Sequence, residues 1–449
     1  MEQNYLSPLY IVLIVIYLTV LFFAFHAMSI FKRNESGDNK LFMWGFIFKV
    51  AMGLCFGLIY DFYYQRSGDT FYYFANSCYL GDMLFTNTRA FFRMLFDTVT
   101  PENINTLSHT ITYYPRFHDP QIYALHRYLS LFTVIGLKNY YLTTICVSAT
   151  MFLINWKVYK YLADIYPSMQ KWIAVAILFI PSVTFWGSGI TKDTFSFTFG
   201  LLFFIKFHAI VFRKKWSIWN ILVLLFSAYI VITIKPYILF TYIAAGFIWL
   251  GFDQINKIKN KVLRIAVLPL TILLFGFMGM WALNYVMASV GGSYGSIESM
   301  LQKAAITQYD LKQEYYEGSA FDIGDFEPTI GGALSVMPAA AVAGLFRPFL
   351  WDSRSLVMLM SAIENTILLL LFLYVIFKVG LRKTLKIIQE NRFLIFCFIF
   401  ALFMAIGVGI STSNFGALVR FKIPITPFLF LGTVFIIILN KEKKENVVS

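Results

Sequence analysis

Apolar runs of roughly twenty residues recur along the whole chain, each long enough to cross a hydrocarbon core of about 30 Å as a helix. About eleven such runs can be set out on that length criterion. The first spans about Pro8 to Ile30, the second about Leu41 to Tyr60 and the third about Tyr140 to Tyr161. The fourth ends in IPSVTFWGSGITKDTF, the fifth ends at Arg213, and two shorter runs then meet at TIKPYI. The eighth closes near residue 286, the ninth carries Glu364 and Asn365, and the last follows STSNFGALVRFKIPITPF. The pattern predicts an all-α polytopic membrane protein, a single membrane domain over 1–449 with two long extracytoplasmic loops. The first loop, 61–122, holds interfacial helices, and the second, 286–350, ends in a re-entrant segment. Within the first, GDMLFTNTRAFFRMLFD sets Arg89, Arg93 and Asp97 at helical spacing among apolar clusters, which suits a helix lying in the interface. Within the second, a short helix is expected near Ile297 to Ile306, in a loop able to fold as a lid. No small-residue cleavage site follows the first run, so it reads as a retained anchor.

Composition excludes a soluble domain, at 59% hydrophobic and 14% charged residues with a mean hydropathy of +0.68. A formal charge of +13 invites a nucleic-acid reading, but its distribution argues against one. Lys32, Arg33 and Lys40, then Arg213 to Lys215, Lys257 to Arg264, Arg382 to Arg392 and Lys441 to Lys444 all fall in gaps on one side of the crossings. That is the positive-inside pattern, and it predicts a cytoplasmic C-terminus and an outer N-terminus. Three of the four cysteines lie within apolar runs, so no disulfide framework is implied.

Candidate chemistry then gathers on the outer side. DFYYQRSGDTFYY places Asp61, Arg66 and Asp69 where the second helix meets water; equally, Asp61 can end that helix and Asp69 can sit in a Ser-Gly-Asp turn. Pro181 and two glycines interrupt the fourth run before Lys192 and Asp193, and broken helix ends inside a membrane protein are tolerated where they line a site. The helix that follows could offer its amino end to an anion. Lys235 sits at an outer turn at the depth of Lys192, and Arg347, Arg420 and Lys422 complete the cations. Lys49 and Glu364 lie inside apolar runs, where an ionisable group must pair, snorkel or face a cavity. His118 with Asp119, or Asp61 with Asp69, leaves a divalent metal open, although no compact ligand motif calls for one and no other cofactor is assigned. Arg forks and Lys point charges suit the phosphate of a membrane lipid, aromatic faces suit sugar rings, and a carboxylate can take the proton from an attacking hydroxyl. Those parts match a transferase for lipid-linked sugars.

A helix followed by a long outer loop with acids at its start resembles the integral-membrane glycosyltransferases of the C-type fold. The resemblance implies a polyprenyl-phosphate-linked sugar or oligosaccharide as donor, membrane lipids as further partners, no nucleic acid, and a catalytic role for Asp61 or Asp69 without choosing between them. It also implies the extracytoplasmic face of a bacterial cytoplasmic (inner) membrane. Arg66, Lys192, Asp193, Lys235, Arg347 and Arg420 are the expected substrate-binding set. The segments SGDTFYY, PSVTFWGSGITKD, LFRPFLW and VRFKIPITPF are also similar to those of uncharacterised Bacteroidetes membrane proteins associated with surface polysaccharides, and the first and last to exopolysaccharide polymerases. The acidic loop here follows the second crossing, so an extra amino-terminal helix departs from the family. The rival readings are a Wzy-like polysaccharide polymerase, a transporter or flippase of lipid-linked saccharides, and a non-catalytic scaffold. The charged groups gather at one face and no internal repeat relates two halves, which ranks transport below transfer.

Overall fold

The computed structural model describes residues 4–31, 38–96, 119–313 and 320–448, and among them regular structure is helical throughout, apart from one isolated bridge between Ala320 and Asn414. Among the described residues, eight helices are long and apolar enough to cross a membrane: Pro8–Ile30, Asp38–Tyr63, Lys192–Val211, Pro236–Asn256, Val262–Val290, Val357–Val379, Arg392–Ser411 and Ile425–Glu442. The remaining apolar runs differ for local reasons. The third is one continuous helix whose apolar residues alternate with Thr, Asn and Lys; the fourth is broken into short pieces; Ile218–Ile234 is 17 residues long. The chain packs as two compact units, 1–165 with 177–235 and 166–176 with 236–449.

In the first unit, α1 (Pro8–Phe31) precedes α2 (Asp38–Leu58), which a π-helical turn (Ile59–Tyr63) continues. Then come α3 (Asp69–Thr86), α4 (Thr88–Phe96), α5 (Pro120–Ile135) and α6 (Tyr140–Ile165). The short α7 (Gln170–Ala174) belongs to the second unit, and α8 (Pro181–Trp186), α9 (Lys192–Val211) and α10 (Ile218–Ile234) complete the first. The expected interfacial helix divides at Asn87: residues 81–86 finish α3, and Asn87 Oδ1 accepts from the Ala90 amide at 3.1 Å to start α4. Phe91 and Met94 are buried while Phe92 and Phe96 are exposed, the two-faced character that suits an interface.

Close packing in this unit starts from a stripe on α2. Gly45, Lys49, Gly53 and Gly57 recur every fourth residue and so share one face. A Cβ on Gly45 would stand 2.9 Å from the Phe152 ring, on Gly53 2.3 Å from Ser148 Oγ, and on Gly57 2.9 Å from the Tyr140 ring. Missing side chains let α6 approach closely, as small residues do in membrane bundles.

The second unit holds α11 (Pro236–Asn256), α12 (Lys261–Val290), α13 (Ile297–Leu311), α14 (Ile330–Phe346), α15 (Leu356–Tyr374), α16 (Leu381–Glu390), α17 (Arg392–Ser411), α18 (Phe415–Phe421) and α19 (Ile425–Val448). The short helix expected over 297–306 runs on to Leu311, and Ser296 and Ser299 close a reciprocal capping box at its start. Pro338 lies inside α14 without ending it, so 330–346 is one 17-residue apolar helix. It sits against α17 at backbone distance: a Cβ on Gly344 would fall 2.2 Å from the Ala405 carbonyl oxygen, and one on Gly409 2.1 Å from that of Ala340. By contrast, the apolar windows of α1 and α12 are each only 6% buried, as suits surfaces solvated by lipid.

Candidate functional site

Asp61 lies within the π-helical turn rather than in a loop, and π-turns inside helices are frequent at functional sites. Its Oδ1 accepts from Arg66 Nε at 2.7 Å and its Oδ2 from the Tyr141 hydroxyl at 2.7 Å, leaving the side chain 8% exposed. Gln65 and Arg66 both adopt positive φ, 48° and 61°, where residues with a Cβ are uncommon. The Asp61 carboxylate therefore holds a strained turn, and the Arg66 guanidinium is further fixed over Tyr5 and Phe71 at 5.1 and 5.5 Å. Gly68, at φ 93°, then reverses the chain into α3, and Asp69 is the first residue of that helix, half-buried.

One turn after Asp69, on the same face, stands Tyr73, almost wholly buried. The Lys192 ammonium lies 5.9 Å from the centre of its ring, and the His126 ring is 5.8 Å away. Burial, and then the nearby Lys192 charge, push His126 down to about 3, so its imidazole is neutral throughout the physiological range. Asp193 follows Lys192 and forms a buried ion pair with Lys235, whose side chains are 2% and 7% exposed. Asp69, Tyr73, His126, Lys192, Asp193 and Lys235 thus belong to one region of the first unit, with the Lys235 ammonium engaged by a carboxylate.

The broken fourth run is closed by side chains. Lys49, from the glycine stripe of α2, donates to the Gly187 carbonyl; Ser148 Oγ donates to that of Ser188 at 2.8 Å; Thr194 Oγ1 donates to that of Gly189 at 2.6 Å. The amino end of α9, expected to meet an anion, is capped by Thr191 Oγ1, which accepts from the Thr194 amide at 3.2 Å. Carbonyls that a helix break releases must be satisfied inside a membrane protein, and here α2, α6 and α9 each supply a donor.

In the second unit, Arg347 forks onto Asp352, Nε to Oδ2 at 3.1 Å and Nη2 to Oδ1 at 3.0 Å, beside the stacked rings of Phe321 and Phe415 at 5.1 and 4.8 Å. Lys422 is buried, and its ammonium donates to the Leu345 and Arg347 carbonyls and to Asn365 Oδ1 at 3.0, 3.1 and 2.8 Å. The Phe321 amide donates to the Ser413 carbonyl at 2.8 Å, which pins the end of the acidic loop to the turn before α18. Arg420 lies on the last turn of α18, half-buried.

Asp119 caps α5, accepting from the Gln121 and Ile122 amides at 2.8 and 3.1 Å. Arg116 and His118, like Lys32, Arg33 and Asp97, lie outside the described residues. Among the described residues no three of His, Cys, Asp and Glu converge as a metal would require. Tyr141, Tyr73 and Asp352 were not singled out in the sequence reading, since no local spacing marks them: Tyr141 lies 80 residues from the carboxylate it binds. The sequence matches no family model, no curated protein and no solved structure.

Proposed function

We propose that this chain is a membrane glycosyltransferase that moves a sugar from a polyprenyl-phosphate-linked donor to an acceptor on the extracytoplasmic face. It works from a bacterial cytoplasmic membrane that it crosses about eleven times, with its C-terminus inside. The reading is supported by what borders Tyr73 in the first unit: Asp69 heads α3 one turn before it, and Lys192 stands 5.9 Å from its ring. Asp69 takes the proton from the acceptor hydroxyl as its oxygen bonds to the anomeric carbon and the bond to the phosphate oxygen breaks, inverting that centre. Lys192 stabilises the charge that develops on the departing phosphate. Asp61 is a positioning residue, because both of its oxygens are engaged in holding the turn that delivers Asp69.

Purified Asp69→Asn is expected to lose about 10²–10⁴-fold in transfer rate, the range of general-base catalysis. Full activity in that variant would remove Asp69 as the base. The class of reaction is tested in cells lacking the protein, whose lipid-linked glycan should be short by one sugar. A complete lipid-linked repeat that accumulates while long chains disappear would assign a polymerase instead, and an unchanged profile would overturn both.

A further inference from the structure

A cleft of about 450 Å³ opens at the end of the first unit where α2 begins, a full helix length from Asp61. Three helices build it. Met28 and Ser29 come from the last turns of α1, Asp38, Asn39 and Phe42 from the first turns of α2, and Trp156, Lys157, Lys160, Tyr161 and Asp164 from the end of α6. Residues 157, 160, 161 and 164 recur at i, i+3, i+4 and i+7, so α6 turns one polar face into the cleft. Phe42 and Trp156, both buried, meet edge to face at 5.0 Å and form an apolar wall.

Among the described residues, the charged lining is two lysines and two aspartates. Lys160 and Asp38 already pair across the cleft at 2.6 Å, while Lys157 and Asp164 are exposed. A site with balanced charge of both signs disfavours an anion, which must face two carboxylates. It suits a zwitterion carrying a phosphate and an ammonium. A primary ammonium brings three donors for Asp164 and Asp38, whereas a trimethylammonium brings none. The cleft also lies at the end of two helices able to cross a membrane, Pro8–Ile30 and Asp38–Tyr63, where headgroups sit.

We propose that this cleft binds a phosphoethanolamine group, its phosphate held by Lys157 and its ammonium by Asp164, supplied by phosphatidylethanolamine of the membrane. This site is independent of the transferase reading.

The test is native mass spectrometry of the full chain, exchanged from detergent into mixtures of phosphatidylethanolamine, phosphatidylcholine and phosphatidylglycerol, with soluble phosphoethanolamine in a parallel arm. The wild type is expected to retain phosphatidylethanolamine about tenfold better than phosphatidylcholine, the scale of one charge-assisted hydrogen bond. Asp164→Asn should erase that preference, and Lys157→Gln should weaken retention of both lipids. Both positions are exposed, so thermal melting of the variants should match the wild type. Soluble phosphoethanolamine that binds in an Asp164-dependent way, with no preference among the lipids, would keep the chemistry and move its source to solution. Equal retention of all three lipids with no binding of the soluble headgroup, or a preference that survives both substitutions, overturns the proposal.

Discussion

Asp193 and Lys235 show what a buried charge demands of its neighbours. Each is nearly sealed from solvent, so removing one partner leaves the other's charge uncompensated. Asp193→Asn should destabilise the protein by about 3–5 kcal/mol, and Asp193→Leu with Lys235→Met should recover most of the loss, as followed by thermal unfolding in detergent. His126 makes a second residue-scale prediction. Its folded value of about 3 lies below the unfolded value, so the unfolded chain binds the extra proton first as pH falls. Stability is complete above about pH 6.5 and declines from there toward pH 3, and His126→Gln should flatten that decline in melting curves between pH 7 and 4. The charged residues were legible in the sequence as charges at a membrane boundary, but not as pairs. Asp193 and Lys235 lie 42 positions apart, and Lys422 finds Asn365 at 57. Partner choice at such separations is set by helix packing, which leaves no mark in local spacing.

Helix packing in turn depends on where backbones touch. On α17, Gly409 and Gly407 are two residues apart yet have opposite surroundings: a Cβ at 409 would strike the Ala340 carbonyl, while one at 407 meets nothing within 4 Å. Gly409→Ala and Gly344→Ala should each cost about 1–3 kcal/mol or more, since the opposing atoms are backbone and cannot rotate away. Gly407→Ala should be neutral or slightly stabilising, because a helical glycine gives way to a better helix former. Equal melting temperatures for Gly409→Ala and Gly407→Ala would refute the close crossing. Apolar helices were legible because apolarity over about twenty residues is a local property. The division at Asn87 was not, since it turns on a capping bond from a single side chain.

Over the whole molecule, the basic gaps give a topology that labelling can check. Cysteines placed at Asp310 and Ser353 flank α14; if that helix is re-entrant both should react with an impermeant reagent from outside, whereas one at Lys214 should not. Labelling of only one of the pair would make α14 a crossing and change the side assigned to every segment before or after it. One further consequence follows from Lys49, whose hydrogen-bond partner Gly187 is 138 residues downstream. A ribosome adding roughly 5–20 residues per second needs on the order of 7–28 s to reach that carbonyl. During that interval the second apolar segment has left the ribosome with an ammonium and no lasting acceptor. The nascent chain must therefore shelter it in the insertion machinery or near the headgroups, and α2 can settle at its final depth only after the chain has been made at least to Gly187.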